Sequence, residues 1–312
     1  MSEYVEIKIK DQYNQDLYGI FYKSNVEKTK ANVIIVHGMA EYCTRYLPFM
    51  KVLADNGYNI YAIDHLGHGF QVSKKENAKY GVLPKDGFFQ NIENVYALAK
   101  YIKKESDLPI YIFGHSMGSF ITQGFYQRHS DIIDKVILCG TAFNNFNYRL
   151  GRFTTICLSP FYTGKKGEKI SKFLVNTSNS VFLKGVDGKG YNNSPSRWIS
   201  YNVENVKEYD KDPQCGFDCS FNFYYTLFKG QQTIWKKKQL KNIKHVVPLL
   251  IIAGEDDPVG DCSKGIKRLE KFYSNVQKGN IKTILYKHAR HEILNEDIKE
   301  DVYKDIIEFL DK

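Results

Sequence analysis

The chain has 312 residues, 43% of them hydrophobic and 14% aromatic, and a net charge of +9. That length suggests about one or two domains, and the composition is enough for a sizeable core and excludes a chain too polar to fold. The longest apolar runs, such as Val246–Ala253, are far shorter than the ~20 residues of a membrane span.

The polar, acidic start Met1–Glu6 has no basic stretch followed by an apolar one, so a secretory leader is not expected. The expectation is a soluble, cytoplasmic protein. Its six cysteines (Cys43, Cys139, Cys157, Cys215, Cys219 and Cys262) are then free thiols. Cys215-x-x-x-Cys219 has no second ligand pair near it, so no metal is expected. Lysines are scattered with only short clusters such as Lys236–Lys238, which reads as a solvated surface without a nucleic-acid-binding motif. The positive charge also suits peripheral contact with an anionic membrane surface.

Residues 3–10 alternate apolar and polar, Asp11–Asp16 carries turn residues, and Leu17–Tyr22 is apolar again. This predicts an antiparallel hairpin at a sheet edge. Ala31–Val36 is a continuous β-branched run, as for a strand buried on both faces, and ends in His37-Gly38-Met39-Ala40-Glu41. Tyr46–Asn56 has helical spacing and stops at Gly57. Tyr58–Ile63 is the next strand and ends in Asp64-His65-Leu66-Gly67-His68-Gly69. After a loop, Phe88–Lys104 places Ile92, Val95, Leu98, Ala99 and Ile102 on one helix face.

Pro109–Phe113 then reads as a buried strand, Gly114-His115-Ser116-Met117-Gly118 as a sharp turn, and Ser119–His129 as a helix. Strand, G-x-S-x-G, helix is the context of a nucleophile elbow: small flanking residues permit the turn, and the helix start aims N–H groups at the serine. Asp134–Gly140 is another strand. The alternation to this point predicts a mostly parallel sheet with helices on both faces.

Residues 143–245 break the rhythm and are rich in aromatics, 19 of the 93 residues from Phe143 to Trp235. Such a stretch suits an apolar surface for a greasy ligand. The rhythm resumes with strand Val246–Ala253, a loop through Gly254-Glu255-Asp256-Asp257-Pro258, helix Lys264–Tyr273, strand Ile281–Tyr286, the loop Lys287–Glu292 and helix Asp301–Leu310. The expected domains are a core of residues 1–142 and 246–312 and an inserted cap of residues 143–245.

A serine nucleophile needs a base, and the base needs a carboxylate. Both are sought after strand ends, in the order Ser, Asp, His. Asp256, Asp257 and Asp261 compete for the acid; Asp257 is preferred, with Asp256 a real alternative. Of the eight histidines only His288 and His291 follow the last strand, and His291, in the loop before the last helix, is the expected base. The backbone N–H groups of Met39 and Met117 are the expected oxyanion hole, with His37 and Gly38 shaping the first of the two loops. Gly38, His115 and Phe143 are the expected substrate-binding residues, although the residue next to the serine also reads as structural.

These pieces together resemble the monoglyceride lipase and lysophospholipase family of the α/β-hydrolase fold, in the serine aminopeptidase-like S33 branch. The matching segments are His37–Glu41, Arg45-Tyr46, Asp64–Gly69, Gly114–Gly118, Gly254–Asp257 and His291, and Asp212–Phe217 resembles bacterial members. The resemblance spans about residues 5 to 310. It implies a triad at Ser116, Asp257 and His291, oxyanion donors at Met39 and Met117, a cap over an acyl-chain tunnel, and no metal or cofactor. Ala40 and His288 stand where the family often has Gly, and Tyr42 where it often has His, which bears on loop shape and substrate preference.

The expected activity is therefore hydrolysis of carboxylic esters of monoacylglycerols, lysophospholipids or short-to-medium acyl chains through an acyl-enzyme. An acyl peptidase or amidase would need a buried acidic group in the cap to hold a free amino terminus. A ligand binder would keep the pocket without turnover, and an acyltransferase would pass the acyl group to an alcohol in place of water.

Overall fold

The computed structural model describes residues 4–161, 164–184, 186, 194–277 and 279–312. Eight strands form one sheet: β1 (Val5–Lys10), β2 (Asp16–Tyr22), β3 (Ala31–Val36), β4 (Tyr58–Ile63), β5 (Ile110–His115), β6 (Lys135–Cys139), β7 (Leu249–Gly254) and β8 (Ile281–Tyr286), in the order β1-β2-β4-β3-β5-β6-β7-β8. The first two pairings are antiparallel and all others parallel, as the opening hairpin and the later alternation predicted.

The helices of the core are α1 (Leu47–Asp55), α2 (Gly69–Ser73), α3 (Gly87–Glu105) and α4 (Met117–His129). Between β6 and β7, which are neighbours in the sheet, come α5 (Phe146–Leu158), α6 (Gly164–Leu183), α7 (Val203–Lys211) and α8 (Phe221–Ile234). Then follow α9 (Lys264–Gln277) and α10 (Lys299–Asp311). The sequence range 143–245 expected for the cap includes residues 162–163, 185 and 187–193, which lie outside the described residues, as does residue 3 of the first expected strand.

Strand alternation sorts the core into two layers. On β3, Ile34 and Val36 pack with Ile92, Val95 and Leu98 of α3 and Phe120, Ile121 and Phe125 of α4. Val33 and Ile35 face the other way, toward Phe49, Met50 and Leu53 of α1 and Val302 and Ile306 of α10. Both layers are dry, so every residue of β3 and of β7 is buried.

Register makes the parallel strands end together. Val36 lies opposite Gly114, His115 opposite Cys139, Cys139 opposite Ile252, and Gly254 opposite Tyr286. The loops leaving those ends therefore meet at one edge of the sheet, where ligands of such sheets bind.

Several assignments differ from expectation, and three of them have a local cause. The helix after the elbow starts at Met117, not Ser119, because the turn is made by Ser116 alone. Strand β7 starts at Leu249, after Pro248, which has no N–H to pair and offers only its carbonyl to Val136. The stretch Gly69–Ser73, too short to show a helical period, closes one turn of helix in a region read as loop.

Candidate active site

Ser116 sits between β5 and α4 at φ 52° and ψ −122°, a region a side chain rarely adopts and one that stores on the order of 1–3 kcal/mol. The sequence permits this because of its flanking glycines. A Cβ on Gly118 would lie 2.0 Å from the Val36 carbonyl oxygen, and one on Gly114 would lie 2.3 Å from Thr122 Oγ1. Neither clash is with a side-chain end that can swing away freely, so the helix start could not approach the sheet as it does. Ser116 lines a cavity of about 160 Å³ at the strand ends, and His291 lines the same cavity.

His291 Nδ1 lies 3.0 Å from Asp257 Oδ2, with the two residues 3% and 0% exposed. The second carboxylate oxygen, Oδ1, accepts the Val259 N–H at 2.9 Å, which fixes the carboxylate plane. The rival acids point elsewhere: Asp256 accepts from the Tyr201 hydroxyl at 3.1 Å in an exposed position, and Asp261 pairs with Arg268 at 2.8 Å. His288 stacks on Tyr201, with ring centroids 4.2 Å apart, away from the cavity.

The loop after β3 is held by side chains whose role no local pattern reveals. The Gly38 N–H donates to Glu41 Oε1, and the Ala40 N–H donates to His68 Nε2 at 3.2 Å. The Ser116 N–H is taken by the Cys139 carbonyl at 3.0 Å. Among the described residues no acceptor is found for the N–H of Met39 or of Met117, and both residues line the same cavity as the serine. His68 can accept because burial pushes its pKa down to about 3, so its ring is neutral and Nδ1 donates to the Leu66 carbonyl at 2.9 Å. His65 is likewise held well below the ordinary value by burial, with His37 and His68 adding to it.

In the wall of the cavity lies a buried ion cluster. Arg45 Nη1 reaches Glu41 Oε2 at 2.7 Å and Glu292 Oε1 at 3.0 Å, and its Nη2 reaches Glu292 Oε2 at 3.1 Å. His115 Nδ1 lies 3.2 Å from Glu41 Oε1, and its Nε2 lies 3.3 Å from the His291 carbonyl oxygen. Burial pushes the Glu41 carboxyl up, but the His115 hydrogen bond and the Arg45 guanidinium outweigh it and hold the carboxyl well below its ordinary value. Burial lowers His115, and its bond to Glu41 reverses that, leaving it raised. His115 thus ties the nucleophile strand, the first loop and the histidine loop to one another. The only sign of this in the sequence is the set of charged residues, Glu41, Arg45 and Glu292, placed just after buried strands or beside His291.

Of the expected substrate-binding residues, Gly38 and His115 line the cavity. Phe143 is not among the lining residues; its ring packs against Phe272 at 5.0 Å and Trp235 at 5.8 Å, in the core between the inserted segment and α9. The aromatic wall comes instead from residues such as Tyr148, Phe182, Trp198, Tyr224 and Phe228. Periodicity could not separate these from the aromatics that pack the inserted helices on each other.

Comparison with known proteins fits this geometry. The family model described as serine aminopeptidase, S33, matches residues 27–298. The monoglyceride lipase of Saccharomyces cerevisiae is 23% identical over 93% of this chain and 87% of its own length. Phospholipase YtpA of Bacillus subtilis is 24% identical over 92% of this chain and 97% of its own. Among solved structures, a thermostable carboxyl esterase from Bacillus coagulans superposes with a TM-score of 0.86 at 24% identity, covering 100% of this chain and 99% of that one. A soluble variant of the yeast monoglyceride lipase superposes with a TM-score of 0.69 at 22% identity, covering 95% of this chain and 91% of that one. The chain belongs to the serine aminopeptidase, S33 family of α/β-hydrolases.

Proposed function

We propose that the chain is a serine hydrolase that cleaves carboxylic esters of lipids, monoacylglycerols or lysophospholipids or short-to-medium acyl esters, through an acyl-enzyme on Ser116. The observation that carries this is the meeting of Ser116 and the Asp257-paired His291 in one aromatic-walled cavity. The residues 143–245 act as a cap over the core formed by 1–142 and 246–312.

In this mechanism Asp257 accepts the Nδ1–H of His291, which leaves Nε2 free to take a proton. Ser116 Oγ attacks the ester carbonyl as Nε2 takes the hydroxyl proton. The N–H groups of Met39 and Met117 hold the oxyanion. The intermediate collapses, the imidazolium gives its proton to the leaving alcohol, and the acyl group stays on Ser116. Water, deprotonated by His291, then attacks the acyl-enzyme and releases the carboxylic acid. No metal or cofactor enters these steps.

A peptidase is disfavoured by the cavity wall. Its lining carboxylates among the described residues are Glu41 and Glu292. Both are already spoken for, by Arg45 and His115 and by Arg45, Asn205 and Asn295 respectively. Neither comes from the inserted segment.

A peripheral membrane contact extends the same reading. No described helix is long and apolar enough to cross a membrane. Yet α5 and α6 expose Phe146, Leu150, Phe153, Ile156 and Phe173. The same helices carry Arg149, Arg152, Lys169 and Lys172, which suits an anionic lipid surface supplying the substrate.

The test is hydrolysis of p-nitrophenyl esters from two to sixteen carbons by wild type and Ser116→Ala in parallel. A peak at one chain length that vanishes in the variant is expected. No turnover by the wild type, together with no labelling by a fluorophosphonate, would leave only a ligand-binding role.

A further inference from the structure

We propose that Trp198 of the inserted segment is a positioning residue for the base, its indole stabilising the imidazolium that His291 becomes each time it takes a proton. This rests on the reading of His291 as the base.

The indole and imidazole centroids lie 5.1 Å apart with planes at 43°. The backbone on both sides of this contact is pinned. Arg290 Nη1 donates to the Arg197 carbonyl at 2.7 Å, and the Glu292 N–H donates to the Ile199 carbonyl at 2.7 Å. The carbonyls on both sides of Trp198 are therefore held, one by the Arg290 side chain and one by the backbone N–H next to His291. Phe182 of α6 in turn lies 4.7 Å from Trp198, at an interplanar angle of 36°. The indole is thus fixed by the loop bonds and steadied by α6.

An indole ring is electron-rich over its face and attracts a cation within about 6 Å. A neutral imidazole gains much less from it. The contact therefore favours the charged form, which exists in the transition states and not in the resting enzyme, and an interaction of that kind speeds the reaction. The other groups around His291 are Asp257 on Nδ1, the His115 ring at 4.8 Å, and Glu41, Arg45 and Glu292 behind it. The chain holds two tryptophans. The other, Trp235, packs on Phe120, Phe143 and Tyr148 and donates to Gln123, with no histidine among its ring contacts in the described residues.

Two readouts test the proposal. The first is tryptophan emission against pH in the Ser116→Ala protein, where a protonated imidazole beside Trp198 quenches indole emission. A quench on acidification is expected, and it should disappear when His291→Gln is added. The second is the acid limb of kcat/KM for wild type, Trp198→Phe and Trp198→Leu. Leucine keeps the site dry and removes the ring face. Its acid limb should move roughly half a unit to one unit lower in pH, with kcat down roughly threefold to tenfold. Trp198→Phe should recover most of both. A quench that survives His291→Gln, or an acid limb that stays in place in Trp198→Leu, overturns the proposal. The emission readout needs no change at Trp198, so it holds even if the leucine variant fails to fold. Quenching that depends on His291 in a chain that hydrolyses no ester would sink the hydrolase reading and leave the ring pair standing.

Discussion

The two halves of the inserted segment are fastened by different forces. The half that carries α7 is bonded to the loops around Ser116 and His291 through polar groups. The Tyr209 hydroxyl and the Gly216 N–H both donate to the Ala40 carbonyl at 3.0 Å, and Tyr42 bonds Asp212. Buried Glu296 accepts from the Ser200 hydroxyl at 2.7 Å, from the Tyr201 N–H and from the Arg290 N–H. The half that carries α5 and α6 rests mainly on α8 through apolar contact, with Gly151 set against the Phe228 ring, and turns a row of apolar side chains to solvent. Hydrogen bonds fix position and angle, because they weaken steeply when bent. Apolar contact is non-directional and lets surfaces slide. The α7 half is therefore suited to hold the loops beside Ser116 in register, and the α5–α6 half, under the function proposed above, to face the lipid.

The largest effect expected lies where both halves meet the chemistry. Ser116→Ala should lower kcat/KM by about 10⁴-fold or more while the thermal midpoint changes little, because a hydroxyl is lost without a cavity. Ester kinetics and calorimetry on one preparation check both. A variant that kept its turnover would remove the reason for reading either half in terms of catalysis.

The next effect belongs to the polar half and is one of stability. Arg45→Met leaves Glu41 and Glu292 buried without their cation, which costs about 3–5 kcal/mol and lowers Tm by roughly 5–10 °C. The loop after β3 loses its anchor at the same time, so kcat should fall as well. A Tm within a degree of wild type would show that the polar fastening is not what holds this half.

A smaller, pH-dependent effect sharpens the same point. His115 is raised in the folded state, so its contribution is full below the ordinary histidine value near 6.5 and fades as pH rises through the raised value. Glu41 is lowered, so its contribution is full above the ordinary glutamate value near 4.3 and fades as pH falls through the lowered one. The Tm difference between wild type and His115→Asn should therefore be greatest at about pH 5 to 6.5 and shrink by pH 9. Thermal melts across that range check it, and a difference that grew with pH would mean that His115 is neutral in the fold.

The smallest effect belongs to the apolar half. The double variant Phe146→Ser, Phe153→Ser changes two exposed residues, so stability should stay within about 0.5 kcal/mol. Turnover of a soluble short-chain ester should stay near wild type, while cosedimentation with anionic vesicles should fall severalfold. Unchanged vesicle binding would remove the lipid-facing role from α5 and α6.

Local pattern revealed the sheet, its edge hairpin and the elbow because each rests on a short-range rule. A β-branched run such as Val33–Val36 favours a strand covered on both faces, and glycines on both sides of Ser116 permit a turn that other residues forbid. The identity of the acid was less legible. Asp256 and Asp257 are neighbours in sequence, and only the path of the loop after β7 turns one toward His291 and the other toward Tyr201. Phe143 was misplaced for a similar reason: an aromatic beside a strand end looks alike whether it faces a ligand or Phe272.

What the sequence determined by itself is the strand, turn and helix set of the core and the placing of Ser116, Met117 and His291 just after strand ends, since these depend on residues within one turn or one strand of each other or on their order along the chain. What only the tertiary structure decided are the contacts between loops distant in sequence. These are Asp257 on His291, Glu41, Arg45, His115 and Glu292 in one buried cluster, and Trp198 on His291. Each joins side chains brought together by strands that end at the same edge, and that proximity is created by sheet register, which leaves no local mark in the chain.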